Sequence, residues 1–329
     1  MDKEARYWHE EDGRIRCDLC PHNCLIADGS AGLCGVRKNS GGRLLTTIYG
    51  EVTGYGLDPI EKKPLYHFHP GEMILSLGTK GCNFACDFCQ NWTISQDPGA
   101  RSQIVSPGEV VSIAKREGSF AIAYTYSEPM IWFEYVLETA ILAREAGLDN
   151  ILVTNGFIEP EPFEELLPHI GAMNVDLKSM DDDFYRKYCR GRLAPVLETI
   201  KRAASSCHIE ITNLIIPTLN DTDDHFARLR DWIAGEVGAD TALHLSAYHP
   251  MYKMNIRATP VETLKRAFSI CREKLKFVYI GNVLLPDGRD TVCPACGNVL
   301  IRRHGYSISV TGVDAGKCAS CGARVPFVI

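Results

Sequence analysis

The 329-residue sequence has no run of eighteen apolar residues, so no segment reads as a membrane-spanning helix. Its first residues, MDKEARYWHEEDGR, are too polar for a secretory leader. No strand-like segment runs into a G-x-G-x-x-G turn, and a dinucleotide-binding fold gains no support. Basic residues are neither abundant nor clustered: 35 Lys and Arg against 41 Asp and Glu give a net charge of −6, which does not indicate a nucleic-acid groove. These absences leave a cytoplasmic globular enzyme as the expectation, with neither membrane nor nucleic acid as partner. What the chain holds in excess is cysteine, fourteen in all. In a reducing compartment, patterned cysteines more often bind metal than form disulfides.

Eleven of the fourteen fall into three groups: Cys17, Cys20, Cys24 and Cys34; Cys82, Cys86 and Cys89; and Cys293, Cys296, Cys318 and Cys321. Between the second and third groups, short apolar runs alternate with stretches of helical period. The runs are MILSLG (73–78), FAIAYTY (120–126), NILVTN (150–155), AMNVDLK (172–178), IEITNLIIP (209–217), ALHLSAY (242–248) and FVYIGNV (277–283). Nearly continuous apolar strands suit a parallel sheet covered on both faces. The alternation predicts an α/β fold, a partial or full (β/α) TIM-like barrel over 73–288, with a doubly wound open sheet as the alternative. Residues 1–72 read as a Cys-rich segment and lead-in, and 289–329 as a small Cys-rich module. In a barrel, chemistry sits at the carboxyl ends of the strands. The three central cysteines, Glu128, Asn155, Asp176, Lys178 and His249 all fall there.

Cys82, Cys86 and Cys89 in GCNFACDFCQNW are spaced C-x3-C-x2-C, one ligand short of a closed cage. Thiolates favour zinc, copper(I) or iron–sulfur clusters. Three of them can hold three corners of a four-iron cube and leave the fourth iron open, as a catalytic site requires. A zinc site completed by a distant histidine is the alternative. The motif C-x3-C-x-aromatic-C, here Cys82, Cys86, Phe88 and Cys89, resembles that of the radical S-adenosylmethionine (SAM) enzymes. That resemblance implies a [4Fe–4S] cluster whose open iron binds SAM. It also implies reductive cleavage of SAM to methionine and a 5′-deoxyadenosyl radical, which abstracts hydrogen from substrate. An external electron donor such as flavodoxin or ferredoxin is implied as well.

Within the resemblance, YTYSEP is similar to the family's second-strand Gly-Glu motif and makes Glu128 the partner of the SAM ammonium. Phe88 would lie near the adenine. NVDLK is similar to the ribose-binding strand of the glycyl-radical-enzyme activases and points to Asp176 and Lys178. YHPMYK is similar to their late segment and points to His249. Each residue has a structural alternative: Glu128 a helix cap, Asp176–Lys178 a buried ion pair, His249 a turn contact, Asn155 a turn with positive φ. CDLCPHNC, GLCGVR, DPIEKKPLYHFHPG, VTNG, IPTLND and the CPACG tail extend the likeness, in order, over almost the whole chain. Together they resemble the AmmeMemoRadiSam-system radical SAM enzymes, which implies association with Memo-type and AMMECR-type proteins. Activation of a glycyl-radical partner protein is the second enzymatic expectation, and a non-catalytic SAM-binding scaffold the third.

The tail carries C-x2-C, twenty-one residues and C-x2-C, the spacing of two facing knuckles. It predicts a zinc ribbon, with rubredoxin-type iron as the alternative. For Cys17, Cys20, Cys24 and Cys34 the spacing leaves structural zinc and an auxiliary iron–sulfur cluster both open. Cys189, Cys207 and Cys271 read as buried, inert thiols, although Cys189 follows an active-end strand. DPIEKKPLYHFHPG reads as an ordered lead-in whose His67 and His69 alternate as on a strand.

Overall fold

All seven apolar runs form strands of one sheet in the computed structural model, which describes residues 2–328 except 98, 284, 286 and 287. An eighth strand, β1 (Gly54–Pro59), precedes them. The others are β2 (Met73–Gly78), β3 (Ala121–Tyr124), β4 (Asp149–Thr154), β5 (Ala172–Asp176), β6 (His208–Ile215), β7 (Ala242–Ala247) and β8 (Val278–Gly281). Their order is sequential, β8 to β1, and every pair is parallel except the antiparallel β1–β2. The end strands β1 and β8 are not bonded to each other, so the sheet is open. Strand β3 is buried at all four positions, as a parallel strand packed on both faces should be.

Helices return the chain between strands, and their ends follow local chemistry. The first, α1 (Pro107–Arg116), starts with a capping box between Ser106 and Glu109 and proline at its first position. It is followed by Gly118 at φ +68°, and α2 (Phe133–Glu145) by Gly147 at φ +77°. The later crossovers are α3 (Pro160–Leu166), α4 (Leu193–Ala204), α5 (Asp223–Trp232) and α6 (Val261–Arg272). Among the described residues, no helix is long and apolar enough to cross a membrane.

The stretch DPIEKKPLYHFHPG does more than lead into β2. Because β1 runs against β2, Pro59 pairs with Met73, and residues 60–72 then lie under the amino-terminal half of the sheet. There Asn174 on β5 donates to the Pro64 carbonyl at 2.7 Å. The backbone N–H groups of Tyr66 and His67 donate to Glu210 on β6 at 2.8 and 2.7 Å. Glu210 is fully buried and also bonds His208 and His244, at 3.1 and 2.6 Å. His67 does not lie on a strand; its ring bonds Tyr279 on β8 at 2.6 Å, and burial pushes its pKa down to about 3.

The carboxy-terminal module docks on the same floor. Its hairpin pairs Val299–His304 with Ser307–Val310. Arg303 donates to the Tyr66 carbonyl at 2.7 Å, and its guanidinium lies 4.1 Å from the Tyr66 ring centre. Val328 exchanges backbone hydrogen bonds with His67 and His69. The amino-terminal segment packs elsewhere. It builds two small antiparallel sheets, Lys3–Glu4 with Arg43–Thr46 and Arg37–Ser40, and Trp8–Glu11 with Arg14–Cys17 and Leu25–Ile26. A buried ion pair, Arg37 with Glu134 on α2 at 2.9 Å, ties it to the main body.

Glu210→Ala strands two histidines and two backbone donors, and it should cost about 3 kcal/mol or more of stability, read as a lower urea midpoint. Burial alone would raise the Glu210 pKa, but His208 and His244 hold it well below the usual carboxylate range. Its contribution is therefore present above the unfolded pKa of about 4.3 and disappears as pH falls through the lower native value. Acid titration of wild type against Glu210→Ala should show the difference between them shrinking only in strong acid.

Candidate active site

The loop after β2 carries Cys82, Cys86 and Cys89, and neighbours on three sides hold it. Ala85 and Asp87 donate backbone N–H groups to the carbonyls of Cys189 and Tyr188, both at 3.0 Å. Gln96 donates to the Phe84 carbonyl at 2.9 Å, and His22 Nε2 to the Asn83 carbonyl at 2.7 Å. The sulfurs have partners of their own. Cys82 Sγ accepts from Phe84 N–H at 3.3 Å and from Asn155 Nδ2 at 3.6 Å, and Cys89 Sγ lies 3.1 Å from Ser95 Oγ. Cys189, read from sequence as an inert buried thiol, lies with its side chain against Cys86.

Beside the loop opens a cavity of about 450 Å3, lined by residues from the carboxyl ends of β2 to β7. Cys82, Cys86, Phe88, Cys89, Glu128, Asn155, Asp176 and Lys178 all line it. A larger groove of about 710 Å3, between the loops before α3 and α4, contains none of the cysteines. His249 is not brought to the cavity. It is exposed beyond the end of β7, with Nε2 3.2 Å from the Asn282 carbonyl.

Glu128 follows β3 and is buried, 2% exposed. It does cap the short turn Pro129–Trp132, accepting from Met130 N–H at 3.0 Å. It also accepts from Thr154 Oγ1 at 2.6 Å and Asn155 N–H at 2.8 Å, which couples β3 to β4. Burial nonetheless pushes its pKa up to about 7. Asp176 and Lys178 form an ion pair at 2.8 Å. Burial opposes the Lys178 charge, but Asp176 and the sulfurs of Cys86 and Cys189 outweigh it and hold the pKa well above the usual lysine range. The cap reading of Glu128 therefore holds, whereas the Asp176–Lys178 pair forms without being buried, the Asp176 side chain being 40% exposed; both groups also face the cavity. The positive φ of the TNG turn belongs to Gly156, at +70°, while Asn155 spans Cys82 and Asn83.

Several lining residues escaped the sequence reading. Asn174, Thr212 and Ser246 point into the sheet's concave side. Asn174 with Asp176, and Thr212 with Leu214, stand two apart, an alternation that marks one strand face. Lys62 and Pro64 enter from the floor segment, which no motif advertises. Lys62 pairs with Asp58 at 2.7 Å, and Asp58 is also bonded by buried Lys63 and by the Tyr126 hydroxyl. Tyr126 holds φ +70°, an uncommon conformation for a bulky residue.

A model of the radical SAM superfamily matches residues 76–233, the stretch that contains the cysteine loop and strands β3 to β6. The chain belongs to the radical SAM superfamily and is an enzyme of that class. It is similar, end to end, to an uncharacterized protein of Methanocaldococcus jannaschii: 41% identity over 335 residues, covering 99% of this chain and 100% of that protein. A pyruvate formate-lyase-activating enzyme of Clostridium pasteurianum is 23% identical over 161 residues, 47% of this chain and 66% of that protein. Among solved structures, a radical SAM methyltransferase from Sphaerobacter thermophilus superimposes with a TM-score of 0.51 at 16% identity, over 65% of this chain and 67% of that one. At that identity the likeness is one of fold.

Superfamily membership implies a [4Fe–4S] cluster and SAM, and the cavity fits both. Three thiols on one loop face a space bounded by carboxylates suited to a cationic ligand. Ser127 Oγ, in the cavity wall, is buried with no hydrogen-bond partner among the described residues and so can serve a ligand. At the far end of the molecule, the sulfurs of Cys293, Cys296, Cys318 and Cys321 all lie within 4.8 Å of one another, a ready tetrahedral metal site.

Gly191 sits where a Cβ would come within 2.2 Å of the Phe84 ring, inside the cysteine loop. Gly191→Ala should displace that loop at a cost of about 1–3 kcal/mol. Thermal unfolding with parallel iron analysis after anaerobic reconstitution should show a lower Tm and reduced iron, with the tail's metal retained.

Proposed function

We propose that the protein binds a [4Fe–4S] cluster through Cys82, Cys86 and Cys89 and cleaves SAM reductively for hydrogen abstraction from an organic or protein substrate. The observation that carries this reading is the convergence of the three cysteines with buried Glu128 and the Asp176–Lys178 pair on one cavity. When bound, the cluster supplies the electron that splits SAM into methionine and a 5′-deoxyadenosyl radical. The chain's own residues orient the cofactor. Glu128 receives the SAM ammonium, held ready by Thr154 and Asn155. Asp176 and Lys178 offer an acceptor and a donor to the ribose hydroxyls. Asn155 fixes the Cys82 thiolate, and Phe88 bounds the adenine end. The buried residues Thr154, Asn155 and Asn174 close one flank of the cavity and restrict water around a reactive radical.

For the tail our reading is a single tetrahedral ion, since paired sulfurs 3.7 Å apart match an edge of about 3.8 Å for metal–sulfur bonds of about 2.3 Å, and zinc is the metal that structural pairs of C-x2-C knuckles usually hold. The motif order across the whole chain supports the AmmeMemoRadiSam branch, and Memo-type and AMMECR-type proteins as partners. A second reading, activation of a glycyl-radical enzyme, has specific support in the similarity to two activating enzymes. One is that for pyruvate formate-lyase, the other that for (2S)-3-sulfopropanediol dehydratase of Klebsiella oxytoca.

Anaerobically reconstituted protein given SAM and dithionite should release 5′-deoxyadenosine, and Cys86→Ala should abolish it while keeping the tail's zinc. Failure of the intact wild-type cluster to form the product would leave the scaffold reading in its place. Glu128→Gln should weaken SAM binding about tenfold to a hundredfold in equilibrium titration. In wild type that affinity should fall as pH drops below about 7, where Glu128 takes up a proton, and the variant should lose this dependence. The activase reading requires a glycyl EPR doublet on a partner protein, and its absence from every glycyl-radical candidate would remove it.

A further inference from the structure

Cys17, Cys20, Cys24 and Cys34 converge on one corner of the amino-terminal segment. Cys17 closes the strand Arg14–Cys17, and its N–H bonds the Cys24 carbonyl at 2.9 Å. Cys24 Sγ accepts from Leu33 N–H at 3.5 Å, which brings the turn bearing Cys34 alongside. Further backbone N–H groups reach the other sulfurs, from His22 to Cys20 and from Val36 and Arg37 to Cys34. Such donors stabilise thiolates bound to metal.

The spread of the sulfurs separates the two metal chemistries open to this set. Four thiolates around one ion are drawn into a small tetrahedron, as the tail shows. Among the described residues, the tail's cysteines are the one group of three or more Cys, His or carboxylate ligands whose donor atoms all lie within 4.8 Å. Neither the amino-terminal four nor Cys82, Cys86 and Cys89 are drawn in that far. A four-iron cube seats each thiolate on a different corner and needs the wider spacing. Beside the amino-terminal set lies Arg37, 1% exposed, its charge felt by Cys17 and Cys34. Its Nη atoms are engaged by Glu134 and the Arg6 carbonyl, but its Nε is buried with no acceptor among the described residues. A buried donor beside converging thiols points to an anionic group bound there.

We infer that Cys17, Cys20, Cys24 and Cys34 hold a second, fully cysteine-ligated [4Fe–4S] cluster, packed against the back of the Cys82–Cys89 loop. The two sites share a wall. His22, between Cys20 and Cys24, bonds the carbonyl of Asn83, next to Cys82. A Cβ on Gly81 would stand 2.9 Å from the Cys34 carbonyl, so only glycine permits this approach. With four protein ligands the cluster has no vacant iron for SAM or substrate. Its chemistry is reversible one-electron transfer: it gains the single electron that a reduced flavin or iron–sulfur carrier gives up.

The test is metal stoichiometry in the full chain, which reads neither SAM binding nor SAM cleavage and so stands apart from the proposed function. The triple variant Cys82→Ala, Cys86→Ala, Cys89→Ala, reconstituted anaerobically with iron and sulfide, should keep about four irons per chain and one zinc. Dithionite should give it the EPR signal of a reduced cluster. Wild type should hold twice that iron, and Cys20→Ser with Cys24→Ser should halve the wild-type value without loss of the tail's zinc. A folded triple variant with no iron and two zincs would overturn the assignment. Should that variant fail to fold, wild type decides alone: about eight irons with one zinc supports the cluster, and four irons with two zincs refutes it.

Discussion

The buried carboxylate of Glu210 organises the end of the sheet opposite the cysteines. An open parallel sheet has no intrinsic floor, and its amino-terminal end would otherwise expose strand starts and the concave interior. Glu210 gathers two backbone donors from the segment passing beneath and two histidines from its own and the adjoining strand. From His67 the same set of contacts runs to Tyr279, Thr291 and Arg303, and so into the tail. A buried charge of this kind is tolerated only when its acceptor capacity is filled, and here it is.

At the other end the constraint is backbone rather than charge. The cysteine loop anchors itself by burying Phe84 and Phe88 in the core, and its backbone is shaped by what surrounds it. The Cys189 turn bonds it from one side, His22 from another, and Gly81 and Gly191 remove the side chains that would force it away. Glu128 then joins β3 to β4 beneath it through Thr154 and Asn155. The cavity is therefore preorganised by contacts that also stabilise the fold, which is why the cap and ion-pair readings of Glu128 and Lys178 do not compete with a ligand-binding one.

Much of this was legible from residue order. Seven apolar runs announced seven parallel strands because a strand buried on both faces has no room for polar alternation. The polar residues at the ends of those runs marked the cavity, since adjacent parallel strands deliver their carboxyl ends to one place. His249 was the exception: its position after the strand was read correctly, but its exposure there depends on packing that no local pattern encodes. The floor segment was opaque for a related reason. Its partners, Glu210, His244, Tyr279 and Arg303, lie more than a hundred residues away, and the alternation of His67 and His69 imitates a strand without forming one. Strand β1 was missed because GYGLDP pairs on one side only and lacks the apolar density of its neighbours.

The floor segment carries one more implication. Lys62 and Pro64 form part of the cavity wall, while Tyr66, His67 and His69, a few residues on, form the seat of the tail. A span of eight residues is thus the bottom of the reaction chamber on its upper side and a docking platform on its lower. Chamber and tail are therefore joined mechanically through one short stretch of backbone, and a change that unseats the tail acts on the space available to substrate without touching the cysteine loop.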